Sequence, residues 1–182
     1  MSRKPTKAEI QAAIGQTVPD IIAPNLQVLF CGINPSLYSA VVQHHFARPG
    51  NRFWRSLNAA GFTDRVLTPF EDNDLLKLGY GVTNIADRAT ASADELLTEE
   101  LIAGQRSLAA KIQHYHPKFL AILGIGAYRK AFNQPKAIIG RQNELWYGAI
   151  VWVLPNPSGL NAHYQLDDLK KVYRELLIAV KS

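Results

Sequence analysis

Three short segments of this 182-residue chain contain glycine or proline directly after apolar runs, and two of them also carry polar side chains. They comprise residues 32–35, 124–127 and 155–160, with the sequences Gly-Ile-Asn-Pro, Gly-Ile-Gly-Ala and Pro-Asn-Pro-Ser-Gly-Leu. The carboxamide of Asn34 is too weak a base to remove a proton, but it can orient a water molecule for attack on a carbon atom. A purely structural turn is the alternative for Asn34, because Asn-Pro is a common turn sequence.

An alternation of strands and helices must position these segments. Short apolar runs predict strands over residues 26–32, 81–86 and 119–124, and a β-rich stretch over residues 145–154. Helices are expected at residues 1–20 (weakly), 53–61 with Asn51 as a cap, 70–78, 94–115, from 124 to 132, and 166–180. Residues 33–50 are expected to form a long irregular loop.

This alternation predicts the α/β class, as a three-layer α/β/α domain with a short, mostly parallel central sheet. In such sheets, ligands bind outside the carboxyl ends of the strands. The three segments each follow a strand, so we expect them at one edge of the sheet. Function is therefore sought at that edge.

Composition narrows the class of protein. The length and the 47% hydrophobic content fit one domain, expected over residues 21–182, with residues 1–20 as a tail or peripheral helix. The single cysteine, Cys31, predicts neither a disulfide framework nor a Cys/His metal cluster, and no metal or other cofactor is expected. No apolar run approaches about 18 residues, and no signal peptide is evident, so we expect a soluble, cytoplasmic protein of bacterial type without a membrane partner. The net charge of +5 has the sign typical of nucleic-acid binders.

Several motifs, in their order and spacing, resemble one enzyme family. They are Gly-Ile-Asn-Pro at 32–35, Phe-Ala-Arg-Pro-Gly-Asn-Arg-Phe-Trp at 46–54, Gly-Val-Thr at 81–83 and Leu-Pro-Asn-Pro-Ser-Gly-Leu at 154–160. Over residues 21–180 the chain resembles the mismatch-specific uracil-DNA and thymine-DNA glycosylase branch of the uracil-DNA glycosylase superfamily. The resemblance implies a monofunctional DNA glycosylase of base excision repair. Such an enzyme flips uracil mispaired with guanine out of double-stranded DNA and hydrolyses its N-glycosidic bond, with thymine and ethenocytosine as further candidate substrates.

The same resemblance implies roles for residues around the base. Asn34 is expected to hold the water that attacks the sugar C1′ atom, and Phe46 to stack on the flipped base, whose edge is bound by backbone near Ile33 and Phe46. Ser36 and Asn84 are expected near the substrate, where Asn84 contacts the base or simply ends a strand. A core position is the alternative for Phe46, although its polar neighbours argue against it.

DNA contacts are implied for the loop after the last strand and for the glycine turn. Leu160 matches a wedge that fills the space of the extruded base, with a buried loop leucine as the alternative. The other expected DNA contacts are Asn156, Pro157, Ser158 and Gly159 in the same loop, and Gly124 and Gly126 at a helix start. The implied partner is double-stranded DNA with a mispaired or damaged base, bound by a monomer.

The chain departs from the family pattern at several positions. Ser36 stands where glycine is usual, and Ala162 stands where relatives often have arginine. The most active members pair an acidic residue in the first motif with a histidine in the last, and those places hold Asn34 and Asn156. Without these charged groups we expect a slower enzyme that depends on cheaply flipped, mispaired bases.

Two other functions fit parts of the sequence. A nucleotide-binding α/β enzyme such as a phosphohydrolase would use the glycine turn at 124–126, although the chain has no Walker lysine and no complete dinucleotide motif. A DNA-binding module that has the fold but little catalysis is the other. The first predicts nucleotide or metal binding, and the second predicts DNA binding without abasic sites.

Overall fold

The computed structural model describes residues 3–182, built around one five-stranded sheet. The strands are β1 (Val28–Gly32), β2 (Tyr80–Asn84), β3 (Phe119–Leu123), β4 (Gly140–Trp146) and β5 (Ala149–Leu154). Their order across the sheet is β2-β1-β3-β5-β4. All neighbours are parallel except β4, which pairs with β5 in antiparallel fashion as an edge strand. The predicted mostly parallel sheet is confirmed.

Six α-helices and two 3₁₀ segments accompany these strands in the described range. The helices are α1 (Lys7–Ala12), α2 (Leu37–Val42), α3 (Phe53–Ala60), α4 (Thr98–Tyr115), α5 (Ile125–Ala131) and α6 (Leu166–Lys181). The 3₁₀ segments are Pro69–Leu78 and Ala93–Glu95. Across residues 3–182 no helix is both long and apolar enough to cross a bilayer.

The sheet is covered on both faces because its three inner strands, β1, β3 and β5, are apolar and almost entirely buried. Val28 and Phe30 point into a core shared with α3 and α6, where Tyr173 is fully buried. Leu29 and Ile122 point into a second core shared with α4 and α5. Two cores on opposite faces make the three layers that the sequence predicts.

The prediction of one irregular loop over residues 33–50 is wrong in part, because this segment contains α2. Ser36 starts this helix as its N-cap, with Oγ accepting from the Ser39 backbone N–H at 3.1 Å. Gln43 ends it in the left-handed conformation, with φ 59°. Two turns are too short for a clear apolar period, which explains the missed helix.

The helix expected over residues 94–115 is confirmed from Thr98 to Tyr115 and is wrong at its start. The segment Ala93–Glu95 is 3₁₀, and the chain is extended at Leu96 and Leu97 before α4 begins. Leu97, predicted on the apolar face, is 65% exposed. The predicted cap Asn51 precedes the N-cap residue Arg52, although its Oδ1 accepts from the Phe53 backbone N–H at 2.9 Å.

Candidate active site

A cavity of about 360 Å³ opens at the carboxyl end of the sheet, beside β1 and β2. Eight of the residues expected at the site line it, from three separate chain segments: Ile33, Asn34, Ser36, Phe46, Asn84, Asn156, Ser158 and Leu160. Gly124, Gly126, Pro157 and Gly159 do not line it. The parallel strands bring the first and last motifs together, as the topology requires.

The carboxamide of Asn34 is held in one orientation. Its Nδ2 atom donates to the backbone oxygen of Arg88 at 3.0 Å and to Thr90 Oγ1 at 2.7 Å. The Thr90 hydroxyl gives its only proton to the backbone oxygen of Ser92 at 2.7 Å, so it must accept from Asn34. Both Nδ2 protons are thereby used. The Oδ1 atom remains to accept a hydrogen bond from a water in the cavity.

Thr90 is a site residue that sequence reasoning missed. It is 2% exposed, lines the cavity and lies six residues beyond β2 in irregular chain. Its backbone N–H also donates to Pro35 O at 3.3 Å, which ties it to the first motif. No periodicity or motif marks such a hydroxyl, because its partner Asn34 is distant in sequence.

Phe46 forms one wall of the cavity. One face of its ring stacks on Phe53, with centroids 4.1 Å apart. A Cβ atom on Gly32 would lie 3.3 Å from Phe46 Cζ and 2.5 Å from Asn84 Oδ1, so glycine is required there. The backbone of Gly32 therefore lies close to the side chains of Phe46 and Asn84. Asn84 is only 5% exposed.

The segment before Phe46 is anchored by buried polar contacts. His45 Nε2 lies 2.8 Å from the backbone oxygen of Pro19. Because a carbonyl oxygen can only accept, Nε2 carries the proton and donates it to this bond. The His45 backbone oxygen accepts from the Trp54 indole at 3.2 Å, and its backbone N–H donates to Asp72 at 3.3 Å. Burial lowers the pKa of His45, which keeps the ring neutral. These contacts hold Phe46 at its unusual φ of 53°.

The loop after β5 presents Leu160 at the cavity mouth, 71% exposed. This loop is tied internally, since Asn156 Oδ1 accepts from the Ser158 N–H at 2.9 Å and Asn156 O accepts from Asn161 Nδ2 at 3.0 Å. Ser158 Oγ accepts from the Leu160 N–H at 3.2 Å. Asn156 thus shapes the loop, and an exposed leucine on it excludes the buried alternative.

Arg52 supports that loop from beneath and was also missed. Its guanidinium donates to the backbone oxygens of Tyr164 and Ser158 at 2.5 Å each and of Asn161 at 3.0 Å. Arg52 is only 7% exposed. A buried arginine that serves backbone carbonyls needs no acidic partner, so charge patterning gives no signal for it.

Of the four expected DNA contacts that do not line this cavity, three have other structural roles. Pro157 is buried, and its backbone oxygen accepts from the Arg52 N–H at 2.9 Å, so it shapes the loop and its side chain is closed to DNA. Gly124 and Gly126 line a separate, adjoining cleft of about 590 Å³. Gly124 is required by its φ of 146° and by Ile33, whose side chain would lie 3.0 Å from an added Cβ.

Comparison with known proteins identifies the family. A sequence model described as the uracil DNA glycosylase superfamily matches residues 19–177. The chain belongs to the uracil DNA glycosylase superfamily. A solution NMR structure of a "putative Uracil DNA glycosylase from Methanosarcina acetivorans" matches with a TM-score of 0.61 and 20% identity, over 90% of this chain and 99% of that one. This likeness confirms the fold.

Membership of the uracil DNA glycosylase superfamily sets the chemistry expected of the cavity. The chain is a DNA glycosylase hydrolase of base excision repair, acting on uracil in DNA. Its lining carries few charges, chiefly the exposed residues Arg48 and Asp94. Between residues 3 and 182, no three His, Cys, Asp or Glu side chains are grouped to hold a metal ion.

Proposed function

We propose that the chain is a monofunctional glycosylase of the mismatch-specific uracil-DNA and thymine-DNA branch, acting on uracil opposite guanine in double-stranded DNA. The observation that carries this is the neutral carboxamide of Asn34, fixed with Oδ1 free at the end of β1. A neutral group orients water without activating it strongly. Such a catalyst gains most from bases that are cheap to extrude, and a mispaired uracil is one.

The reaction is hydrolysis of the bond between the base and C1′. As that bond breaks, its electron pair goes to uracil, and the water held by Asn34 adds its oxygen to C1′. The water's proton passes to solvent, and uracil is protonated on release. Phe46 stacks on the flipped base, and backbone near Ile33 and Phe46 binds its polar edge, which stabilises the leaving anion in a water-poor cavity.

The loop with Leu160 serves the duplex side of the same reaction. The exposed side chain at the cavity mouth fills the space left by the extruded nucleotide. Ser158 and Gly159 lie beside it, and a Cβ on Gly159 would meet Gly50 O at 2.7 Å, so the loop needs glycine there. Backbone of this loop and of residues 124–126 contacts the opposite base and the phosphates.

Substrate range is proposed to depend on Asn84. Its buried carboxamide lines the cavity and offers both a donor and an acceptor, which accommodates thymine or ethenocytosine edges as well as uracil. The Ser36 hydroxyl caps α2 and is hydrogen-bonded to Ser39. Its proposed contribution is therefore to place the neighbouring residues Asn34 and Pro35. The enzyme acts as a cytoplasmic monomer in this proposal.

One assay tests the proposal. The full chain is incubated, without added metal, with duplexes carrying G·U, A·U or G·T and with single-stranded uracil DNA, then treated with alkali. We expect strand cleavage fastest at G·U. Asn34→Ala abolishes turnover and keeps most DNA affinity, while Asn143→Ala on the exposed edge strand β4 leaves both unchanged.

The other outcomes of this assay distinguish the alternative functions. DNA binding without abasic sites identifies a DNA-binding module, and equal rates at G·U and A·U remove the mismatch branch. Binding of a nucleotide or a metal with no DNA cleavage supports the phosphohydrolase alternative. Uracil release that is unaffected by Asn34→Ala removes the role of the carboxamide.

A further inference from the structure

An N-terminal segment, residues 6–18, lies outside the region of 19–177 that matches the family. It contains α1, which begins with a capping box between Thr6 and Glu9. The C-cap residue of α1, Ala13, is 1% exposed and packs in a small core with Leu37 and Ala40 of α2. The segment is therefore a docked part of the structure.

This N-terminal segment is hydrogen-bonded to the loop beyond β2 through a single residue, Ala89. The Gly15 N–H donates to Ala89 O at 3.0 Å, and the Ala89 N–H donates to Gln16 O at 2.8 Å. The Ala89 methyl is fully buried in the same small core. One further bond closes the contact, from Gln43 Nε2 at the end of α2 to Thr17 O at 2.8 Å.

Ala89 lies between the two residues that orient the catalytic carboxamide. The backbone oxygen of Arg88 and the hydroxyl of Thr90 accept both protons of Asn34 Nδ2. On one side this loop is bonded to the first motif, through Thr90 N–H and Pro35 O. On its other side, Ala89 is bonded to the N-terminal segment. The loop is thus held between the catalytic motif and the segment outside the family region.

We propose that the N-terminal segment is a positioning element for catalysis, which fixes Ala89 and thereby the two acceptors that orient Asn34. This inference rests on the role proposed for Asn34. If the segment is displaced, both backbone groups of Ala89 lose their partners and the loop shifts away from the carboxamide. A shift of about 1 Å in a catalytic geometry lowers the chemical rate by up to about a hundredfold, without a matching loss of binding.

A matched pair of variants at the end of α1, in its last residue and its C-cap residue, tests this inference. Ala13→Glu places a carboxylate in the buried contact, and Ala12→Glu makes the same change on the exposed side of the adjacent turn. Single-turnover rates on G·U duplex and the Kd for product DNA are measured on full-length protein. We expect Ala13→Glu to lower the rate by at least about tenfold with Kd nearly unchanged, and Ala12→Glu to leave both unchanged.

The second readout does not depend on activity. In ¹⁵N NMR spectra, the side-chain amide protons of Asn34 are assigned by their loss in Asn34→Ala. Because both are hydrogen-bonded, they exchange slowly in the wild-type chain, and we expect fast exchange in Ala13→Glu alone. If the wild-type chain releases no uracil, the proposed function fails, while this exchange measurement still decides whether the segment orients Asn34.

Three results overturn the inference. One is a folded Ala13→Glu protein with a wild-type rate and wild-type amide exchange. Another is a loss of DNA affinity with an unchanged rate, which would make the segment a DNA contact. If Ala13→Glu does not fold, Gln43→Met decides, since it removes the bond to Thr17 O in the N-terminal segment together with a local bond to Ala40 O within α2. A folded Gln43→Met protein with wild-type rate and wild-type exchange is the third overturning result, and a slowed one supports the inference.

Discussion

Thr90 Oγ1 lies 2.7 Å from Asn34 Nδ2 and, at the same distance, donates its own proton to Ser92 O. A hydroxyl has one proton, so the bond to Ser92 makes Thr90 an acceptor toward Asn34. This arrangement decides which end of the carboxamide faces the loop. The carboxamide oxygen is consequently directed to the remaining space, where a water can donate to it.

Replacing Thr90 should slow chemistry more than it weakens binding. Thr90→Val keeps the shape and removes the acceptor, which leaves one Nδ2 proton without a partner and frees the carboxamide to rotate. We expect a fall of about tenfold or more in single-turnover rate, with DNA affinity within about twofold. Thr90→Ser, which keeps the hydroxyl, should retain most activity, and Thr98→Val at the exposed start of α4 is the matched control. Equal rates for Thr90→Val and the wild-type chain would contradict the orienting role.

Leu160→Ala should weaken binding to mismatched duplex and slow turnover. The side chain is 71% exposed, so its loss costs the free protein little stability but removes the apolar surface that fills the vacated base site. Leu145→Ala on β4, where the leucine is 62% exposed, controls for loss of a surface leucine. We measure Kd and rate on G·U duplex for both. A Leu160→Ala enzyme as fast as Leu145→Ala would remove the wedge from the mechanism.

The sequence predicts the sheet and the meeting of its loops well, because both depend on local pattern. The apolar runs around Phe30 and Ile122 mark parallel strands, and parallel strands carry Asn34 and Leu160 to the same edge. Motif resemblance then marks those two residues directly. Their roles stay predictions, but their common location in one cavity is observed.

The residues that support the site, Thr90 and Arg52, are not predicted from the sequence. Thr90 and Arg52 act through contacts that span 56 and 106 positions of the chain, from Thr90 to Asn34 and from Arg52 to Ser158. Such contacts depend on how irregular loops fold over one another, which no residue period encodes. The short helix α2 escapes prediction for a different reason, since its six residues are too few to show a clear apolar period.

Arg52→Met should destabilise the loop that carries Leu160. The variant keeps the stem of the side chain but removes the donors to three backbone oxygens, those of Ser158, Asn161 and Tyr164. Part-buried acceptors that lose a charged donor are costly, and we expect the free energy of unfolding to fall by about 2–4 kcal/mol. Arg55→Met, exposed on α3 just after Arg52, is the control for chemical denaturation. Arg52→Lys should recover only part of the loss, because one ammonium group does not reproduce the planar fork. Equal stability of Arg52→Met and Arg55→Met would show that the loop does not depend on these bonds.

The stability of the protein should fall as pH drops through the range in which histidine titrates, and His45 should account for part of that fall. Burial is the largest effect on its pKa and lowers it from the ordinary value of 6.5, against opposing effects of Pro19, Asp72 and Asp20, while His44 lowers it further. The unfolded chain therefore binds a proton more readily than the folded one. The contribution of His45 is present in full above about pH 6.5 and is lost progressively below it, with a slope of at most about 1.4 kcal/mol per pH unit.

The measurement is the free energy of unfolding by urea at several pH values between about 5 and 8. His45→Gln supplies a neutral donor in place of the imidazole and cannot titrate, so we expect a shallower decline with acid than in the wild-type chain. His114→Gln, an exposed change at the end of α4, is the control and should keep the wild-type slope. Identical slopes for the wild-type chain and His45→Gln would show that acid sensitivity arises from other groups, and that the segment before Phe46 is not a pH-sensitive part of the fold.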